Sequence, residues 1–128
     1  IKRGVPQGSV LGPILYVLST NDFPRYFQDY CESVIYADDT ALILSNQNKD
    51  QLDIDTFVAL EMAKQYCQVN DLVLNQAKTQ QLIFTATANN LHGLPDLDTS
   101  SARYLGITVD NNLSWKPHVD KLCLKLSS

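Results

Sequence analysis

Residues 34–44 read VIYADDTALIL. Two adjacent aspartates, Asp38 and Asp39, interrupt a run of β-branched and aliphatic residues. The interruption predicts two short strands, Ser33–Ala37 and Thr40–Leu44, with a turn between them. Aspartate tolerates turn geometry, so a solvated hairpin tip is one reading. The commonest two-residue turns carry glycine, as in Asn-Gly or Asp-Gly, and none stands here. Side-by-side carboxylates also repel, by about 4 kcal/mol at ~4 Å and an effective dielectric near 20. A divalent cation offsets that repulsion directly. Mg²⁺ takes oxygen ligands from one or two carboxylates plus substrate phosphates. In two-metal sites, ions about 3.5–4 Å apart stabilise both the attacking and the leaving oxygen of a displacement at phosphorus. The aspartates alone leave both readings open.

The rest of the chain bounds the choice. With 128 residues and 45% hydrophobic composition, it has the size and apolar content of one ordinary domain with a core. The longest apolar run, around Ile14 to Leu18, is too short to span a bilayer, and the N-terminus lacks the order of a secretory signal, which predicts an intracellular protein. Three cysteines, Cys31, Cys67 and Cys123, are odd in number and far apart. Neither His92 nor His118 is placed to complete a zinc pair with them, so reduced structural thiols are expected. A net charge of −4 argues against a self-sufficient nucleic-acid binder, which normally carries a basic stripe. The chain opens at Ile1-Lys2-Arg3 without methionine and closes inside a predicted helix, as a piece of a longer protein would.

GVPQGSVLGP, residues 4 to 13, reads as a loop, followed by a buried helix over Ile14 to Leu18 that stops near Asn21-Asp22 or Pro24. SNQNKD, residues 45 to 50, supplies capping chemistry before a helix with the apolar ladder Ile54, Val58, Met62, Tyr66, Val69. Leu72 to Leu74 and Gln81 to Thr85 read as short extended segments with Lys78 between them. Ala86 to Ser101 reads as a loop or weak hairpin. RYLGITVD, residues 103 to 110, reads as one strand with a bulge or close approach at Gly106. Ser114 is placed to cap a last helix, with Pro117 in its first turn and an apolar face of Val119, Leu122, Cys123 and Leu126. The ladder and this face are read as packing. The order of elements predicts an α+β fold with helices on one face of a sheet.

Four ordered blocks then resemble one family. Tyr36-Ala37-Asp38-Asp39-Thr40 resembles the YADD hairpin of reverse transcriptases, in the YADDT form of retrotransposons without long terminal repeats. GVPQGSVLGPILY, residues 4 to 16, resembles the family's palm block in which a PQG loop enters a helix beneath template and incoming nucleotide. LNQAKT, residues 74 to 79, resembles the block carrying a lysine near the triphosphate. YLGITVD followed by LSWKPHV resembles the primer grip and thumb start of jockey-group elements. The resemblance covers nearly the whole chain.

It implies a partial polymerase palm, a ferredoxin-like antiparallel sheet with helices on one face, over residues 1–112, with the start of a thumb helix over residues 113–128. It implies Asp38 and Asp39 as catalytic metal ligands for two Mg²⁺ ions, with Mn²⁺ as a substitute. Gln7, Gly8 and Ser9 are implied to position nucleotide and template; Gln7 offers a donor and an acceptor, and amides near a helix N-terminus favour phosphate. Tyr36 packs beneath the primer terminus in this reading, and Ala37 keeps the turn's flank small. Lys78 assists the departing pyrophosphate. Tyr104, Leu105 and Gly106 hold the primer by shape. The implied partners are an RNA template, a DNA primer and deoxynucleoside triphosphates, with no membrane. The implied location is nucleus and cytoplasm, in a retrotransposon ribonucleoprotein.

The family's third catalytic aspartate lies on a strand upstream of the PQG block, and fingers and most of the thumb also fall outside these residues. That places the basic surfaces elsewhere and predicts no polymerase activity for the chain alone. A missing central strand predicts an open sheet edge, low stability or self-association. Two alternatives remain: a decayed or domesticated palm remnant without catalysis, and a group II intron maturase. YADDT, YLGITVD and LSWKPHV lean away from the maturases.

Overall fold

The computed structural model describes residues 8–84, 97 and 99–127. The chain divides into two compact units, Ile1–Leu74 and Asn75–Ser128. Among the described residues it is α+β, with two separate two-stranded antiparallel sheets.

In the first unit, α1 (Gly12–Ser19) begins after Leu11, with Pro13 in its first turn. It ends at Thr20, whose backbone N–H and side-chain hydroxyl both donate to the Tyr16 carbonyl at 3.0 Å. A second helix, α2 (Phe23–Phe27), follows at once. Of the two expected stops for α1, the helix ends close to Asn21-Asp22, and Pro24 instead sits in the first turn of this second helix. Proline is tolerated there because the first-turn N–H groups have no partner inside the helix. Phe23 and Phe27, four residues apart, share one face; Phe27 is 0% exposed. With Ala63 and Tyr66 they form the core, flanked by Cys31, Ile35, Leu42, Met62 and Leu72.

The helix α3 (Lys49–Val69) supplies the other side of that core. Its start is capped by Asn48, whose Oδ1 accepts the Asp50 N–H at 2.9 Å and the Gln51 N–H at 3.3 Å. The buried face is not the full predicted ladder. Ala59, Ala63 and Tyr66 are buried, whereas Ile54 and Val69 are exposed. The reason lies in the partner: α2 presents aromatic rings, and alanines on α3 leave room for them. Phe23 and Phe27 lie 4.5 Å apart, and Tyr66 meets Phe23 edge-on at 4.9 Å. The Tyr66 hydroxyl donates to Asp22 Oδ1 at 2.6 Å, tying α3 to the residue before α2. The expected buried character of α1 does not hold among the described residues. Ile14, Leu15, Val17 and Leu18 are all exposed, because the core forms on α2 instead. Leu72–Leu74 forms no strand.

The strands β1 (Glu32–Tyr36) and β2 (Asp39–Ile43) make the first hairpin. In the second unit, a short 3-10 turn covers Gln76–Lys78 after Asn75, whose Oδ1 accepts the Lys78 N–H at 3.3 Å. Of the predicted segment Gln81–Thr85, Gln81 pairs: its N–H donates to the Leu97 carbonyl at 2.7 Å and its carbonyl accepts the Thr99 N–H at 3.0 Å. Thr85 and most of the predicted loop Ala86–Ser101 lie outside the described residues.

The predicted single strand over residues 103–110 is a second hairpin, β3 (Ser101–Tyr104) and β4 (Ile107–Asp110). Its turn is Leu105-Gly106, with φ of +48° and +85°. Positive φ at both central residues suits the right-handed twist of a two-residue hairpin. Glycine adopts it freely; leucine does so at a cost, which is why the sequence reads as a strand there.

The last helix, α4 (Lys116–Leu126), packs on β4. It follows Trp115 rather than Ser114, though Ser114 Oγ still accepts the Lys116 N–H at 3.3 Å. Its expected apolar face, Val119, Leu122, Cys123 and Leu126, is exposed among the described residues. All three cysteines are free thiols, and burial pushes the Cys31 and Cys67 thiols upward. No described helix is long and apolar enough to cross a membrane.

Candidate functional site

The register of the first hairpin places the aspartates. Tyr36 faces Asp39, Ile35 faces Thr40, Val34 faces Ala41 and Ser33 faces Leu42. The turn is therefore Ala37-Asp38, and Asp39 is the first residue of β2, one position earlier than expected. Directly opposed residues project to the same side of a pleated pair. Ser33, Ile35, Thr40 and Leu42 thus share one face, and Val34, Tyr36, Asp39 and Ala41 share the other.

Ile35 and Leu42 pack against the aromatic core, which fixes the hairpin from its inner face. The opposite face is open: Tyr36 is 66% exposed, and Asp38 and Asp39 are both exposed. Ala37 turns the chain with φ at +53°, a left-handed conformation that an L residue with a β-carbon adopts at a cost. Two residues of turn with no glycine thus deliver two consecutive carboxylates to the end of a buttressed hairpin.

Tyr16, on α1, stands close enough to the tip to sense it electrostatically. Burial raises its phenol, and the negative charges of Asp38 and Cys67 add to the shift. Among the described groups with a raised pKa, Tyr16 is the one link of this kind between α1 and the hairpin, and the sequence carries no signal of that role. Asp22, Phe23 and Phe27, which anchor the hairpin's support, were also missed. Their signal was an aspartate ahead of two phenylalanines four residues apart.

Other expected site residues are placed as follows. Gln7 lies outside the described residues. Gly8 is exposed with φ at +85°, and Ser9 Oγ accepts the Gly12 N–H at 3.0 Å. The junction into α1 lies at Leu11-Gly12, so Gly8 and Ser9 precede it by a few residues, and Ser9 satisfies one of the amides at the helix start. In the second unit, Lys78 is an exposed residue of the 3-10 turn, and Tyr104, Leu105 and Gly106 form the end of the β3–β4 hairpin.

The donor set at the tip is two carboxylates. Among the described residues no group of three or more His, Cys, Asp or Glu side chains is arranged to hold a metal ion. Asp38 and Asp39 fit a hard cation such as Mg²⁺ in oxygen type and in count, since such ions use one or two protein carboxylates and complete their shell with phosphates and water.

Residues 1–109 match the family described as reverse transcriptase (RNA-dependent DNA polymerase). The chain is 33% identical over 132 residues to the probable RNA-directed DNA polymerase from transposon BS of Drosophila melanogaster, covering 93% of this chain and 15% of that protein. It is 27% identical over 136 residues to the RNA-directed DNA polymerase from mobile element jockey of the same species, covering 95% of this chain and 14% of that protein. It thus spans about one seventh of the length of these relatives. No solved structure matches. The chain belongs to the reverse transcriptase family and is similar to polymerases of jockey-like, non-LTR retrotransposons.

Proposed function

We propose that the chain is the palm portion of an RNA-directed DNA polymerase, one that extends a DNA primer on an RNA template in a non-LTR retrotransposon. In this reading residues 1–112 are palm and residues 113–128 begin the thumb. The observation that carries it is the placement of Asp38 and Asp39 at the exposed end of a hairpin whose inner face is held by Ile35 and Leu42. Family membership over residues 1–109 supports the reaction class.

Asp38 and Asp39 would hold Mg²⁺, which, when bound, supplies positive charge to the reacting phosphate and lowers the barrier to attack by the primer hydroxyl. The chain's own contribution is positioning. The aromatic core fixes the hairpin, so the carboxylates need little reorganisation when nucleotide arrives. Tyr36 shares the face of Asp39 and offers an exposed ring to a primer end. Gln7, Gly8 and Ser9 are assigned to nucleotide and template, Lys78 to charge on the departing pyrophosphate, and Tyr104, Leu105 and Gly106 to the primer. The partners are then template, primer and deoxynucleoside triphosphates.

The test is primer extension by a polymerase carrying this segment. Changing Asp38→Asn and Asp39→Asn together abolishes extension while leaving the fold intact by circular dichroism. Undiminished DNA synthesis by that double variant would refute the proposal. The 128-residue chain alone is expected to extend no primer, because two carboxylates do not make the whole site.

A further inference from the structure

The β3–β4 hairpin has an outer edge that is closed by one imidazole. In a hairpin with a two-residue turn, the pair flanking the turn exchanges hydrogen bonds and the next pair does not. Tyr104 and Ile107 are the flanking pair and Arg103 and Thr108 the next, so the N–H of Thr108 points away from β3. Thr108 is only 5% exposed, which leaves that N–H no ready access to water. His118, on α4, supplies the partner: its Nδ1 accepts the Thr108 N–H at 3.3 Å. One turn further along α4, Lys121 Nζ donates to Thr108 Oγ1 at 3.4 Å. The Trp115 ring flanks the imidazole edge-on at 5.9 Å.

A backbone amide only donates, so this contact exists only while Nδ1 carries no proton. An imidazolium bears a proton on each nitrogen and has no acceptor to offer. Lys116 and Lys121 on α4 and Arg103 on β3 are cationic, while Asp120 is exposed on α4. Asp110 on β4 already has its Oδ1 engaged by the Ser114 N–H at 2.6 Å.

We propose that His118 is a positioning residue: its neutral imidazole closes the edge of β4, holds α4 against the hairpin, and so sets the aim of the tip Tyr104-Leu105-Gly106. Protonation of His118 releases the latch. The consequence for primer rests on the function proposed above; the latch itself does not.

The experiment is amide hydrogen exchange by NMR on the full 128-residue chain, comparing wild type, His118→Asn and His118→Ala. The Val109 amide of β4, which faces Ala102 across the hairpin in the same unit, serves as an internal reference for folding. Asparagine places an oxygen near the position of Nδ1 and does not titrate. Thr108 protection relative to Val109 should fall about tenfold in wild type as His118 takes up its proton, an uptake followed by the imidazole's own ring signals. It should stay constant in His118→Asn and be low throughout in His118→Ala. Full Thr108 protection in His118→Ala, or wild-type protection that ignores the protonation of His118, would overturn the proposal. If His118→Ala loses Val109 protection as well, the contrast between wild type and His118→Asn decides alone. In a polymerase carrying this segment, KM for primer–template should rise several-fold on acidification in wild type relative to His118→Asn, with kcat shared. A Thr108 amide that tracks His118 beside an unchanged KM would uphold the latch and remove the primer from this hairpin.

Discussion

Replacing Tyr66 by phenylalanine separates packing from polar anchoring in the core that carries the acidic hairpin. The ring contacts with Phe23 at 4.9 Å and Tyr26 at 5.5 Å survive the change. What is lost is one hydrogen bond, 2.6 Å from the Tyr66 hydroxyl to Asp22 Oδ1. Hydrogen bonds to charged groups contribute about 1.5–3 kcal/mol. Asp22 is exposed and regains water, so the lower end applies, about 1.5 kcal/mol at neutral pH. The pH dependence is sharper. Burial, the hydrogen bond to Asp22 and the Asp22 charge push the Tyr66 phenol from 10.0 up to about 12. A folded-state value above the unfolded one favours the protonated chain when folded. Its stabilisation is complete below pH 10 and is lost as pH rises through about 12. The gap between 10.0 and about 12 corresponds to roughly 2.7 kcal/mol. Wild type should therefore exceed Tyr66→Phe by about 1.5 kcal/mol at pH 7 and fall below it near pH 12. The raised thiol of Cys31 is common to both proteins and cancels in the difference, whereas the charges of Cys67 and Tyr16 act on the Tyr66 phenol and belong to its shift. Urea unfolding of the 128-residue chain followed by circular dichroism measures this directly. A stability difference that is flat from pH 9 to 12 would refute the reasoning.

Three further outcomes follow from the same framework. Phe27→Ala removes the one large side chain that is 0% exposed and should cost about 3–5 kcal/mol, enough to abolish the cooperative unfolding transition. Asn48→Ala removes an oxygen that accepts two amides and should lower stability by about 1 kcal/mol in urea melts, with early fraying of α3 by hydrogen exchange. Ala37→Gly relieves the +53° φ, against about 0.4–1 kcal/mol of added chain entropy when unfolded. Stability should thus change by less than about 1 kcal/mol in urea melts, while primer extension by a polymerase carrying the segment falls because the carboxylates are less firmly aimed.

Much of this was legible in the sequence, and the failures have specific causes. The first hairpin follows from the β-branched and aliphatic residues on either side of Asp38-Asp39, but its turn lies one residue earlier than that pattern suggests, because aspartate is a poor strand former and Asp39 nevertheless opens β2. The cap at Asn48 was readable from SNQNKD. The helix it starts is legible too, and of its ladder Ile54, Val58, Met62, Tyr66 and Val69, Tyr66 is buried and Met62 packs on the core, while Ala59 and Ala63 complete the buried face in place of Ile54 and Val69. The aromatic rings of α2 made alanines the better fit, and nothing within residues 49–69 reveals that. Pro24 was read as one of two stops although proline serves equally as a start. Leu105-Gly106 hid a turn because leucine with positive φ is uncommon. Tyr36, Ala37, Asp38 and Asp39 are consecutive and form the end of the first hairpin, which its two flanking strands dictate. Tyr16 was not assigned, since its nearness to Asp38 depends on how α1 meets the hairpin.

The two-residue turn at Ala37-Asp38 makes the site a matter of parity. Strand side chains alternate, so one inserted or deleted residue in β1 or β2 would rotate Ile35 or Leu42 outward and turn a residue of the open face, such as Val34, Tyr36 or Ala41, towards the core in its stead. Substitution is absorbed piecemeal; a change of length is not. A lineage carrying this segment can therefore drift in spelling across these strands far more readily than it can drift in frame-preserving insertions.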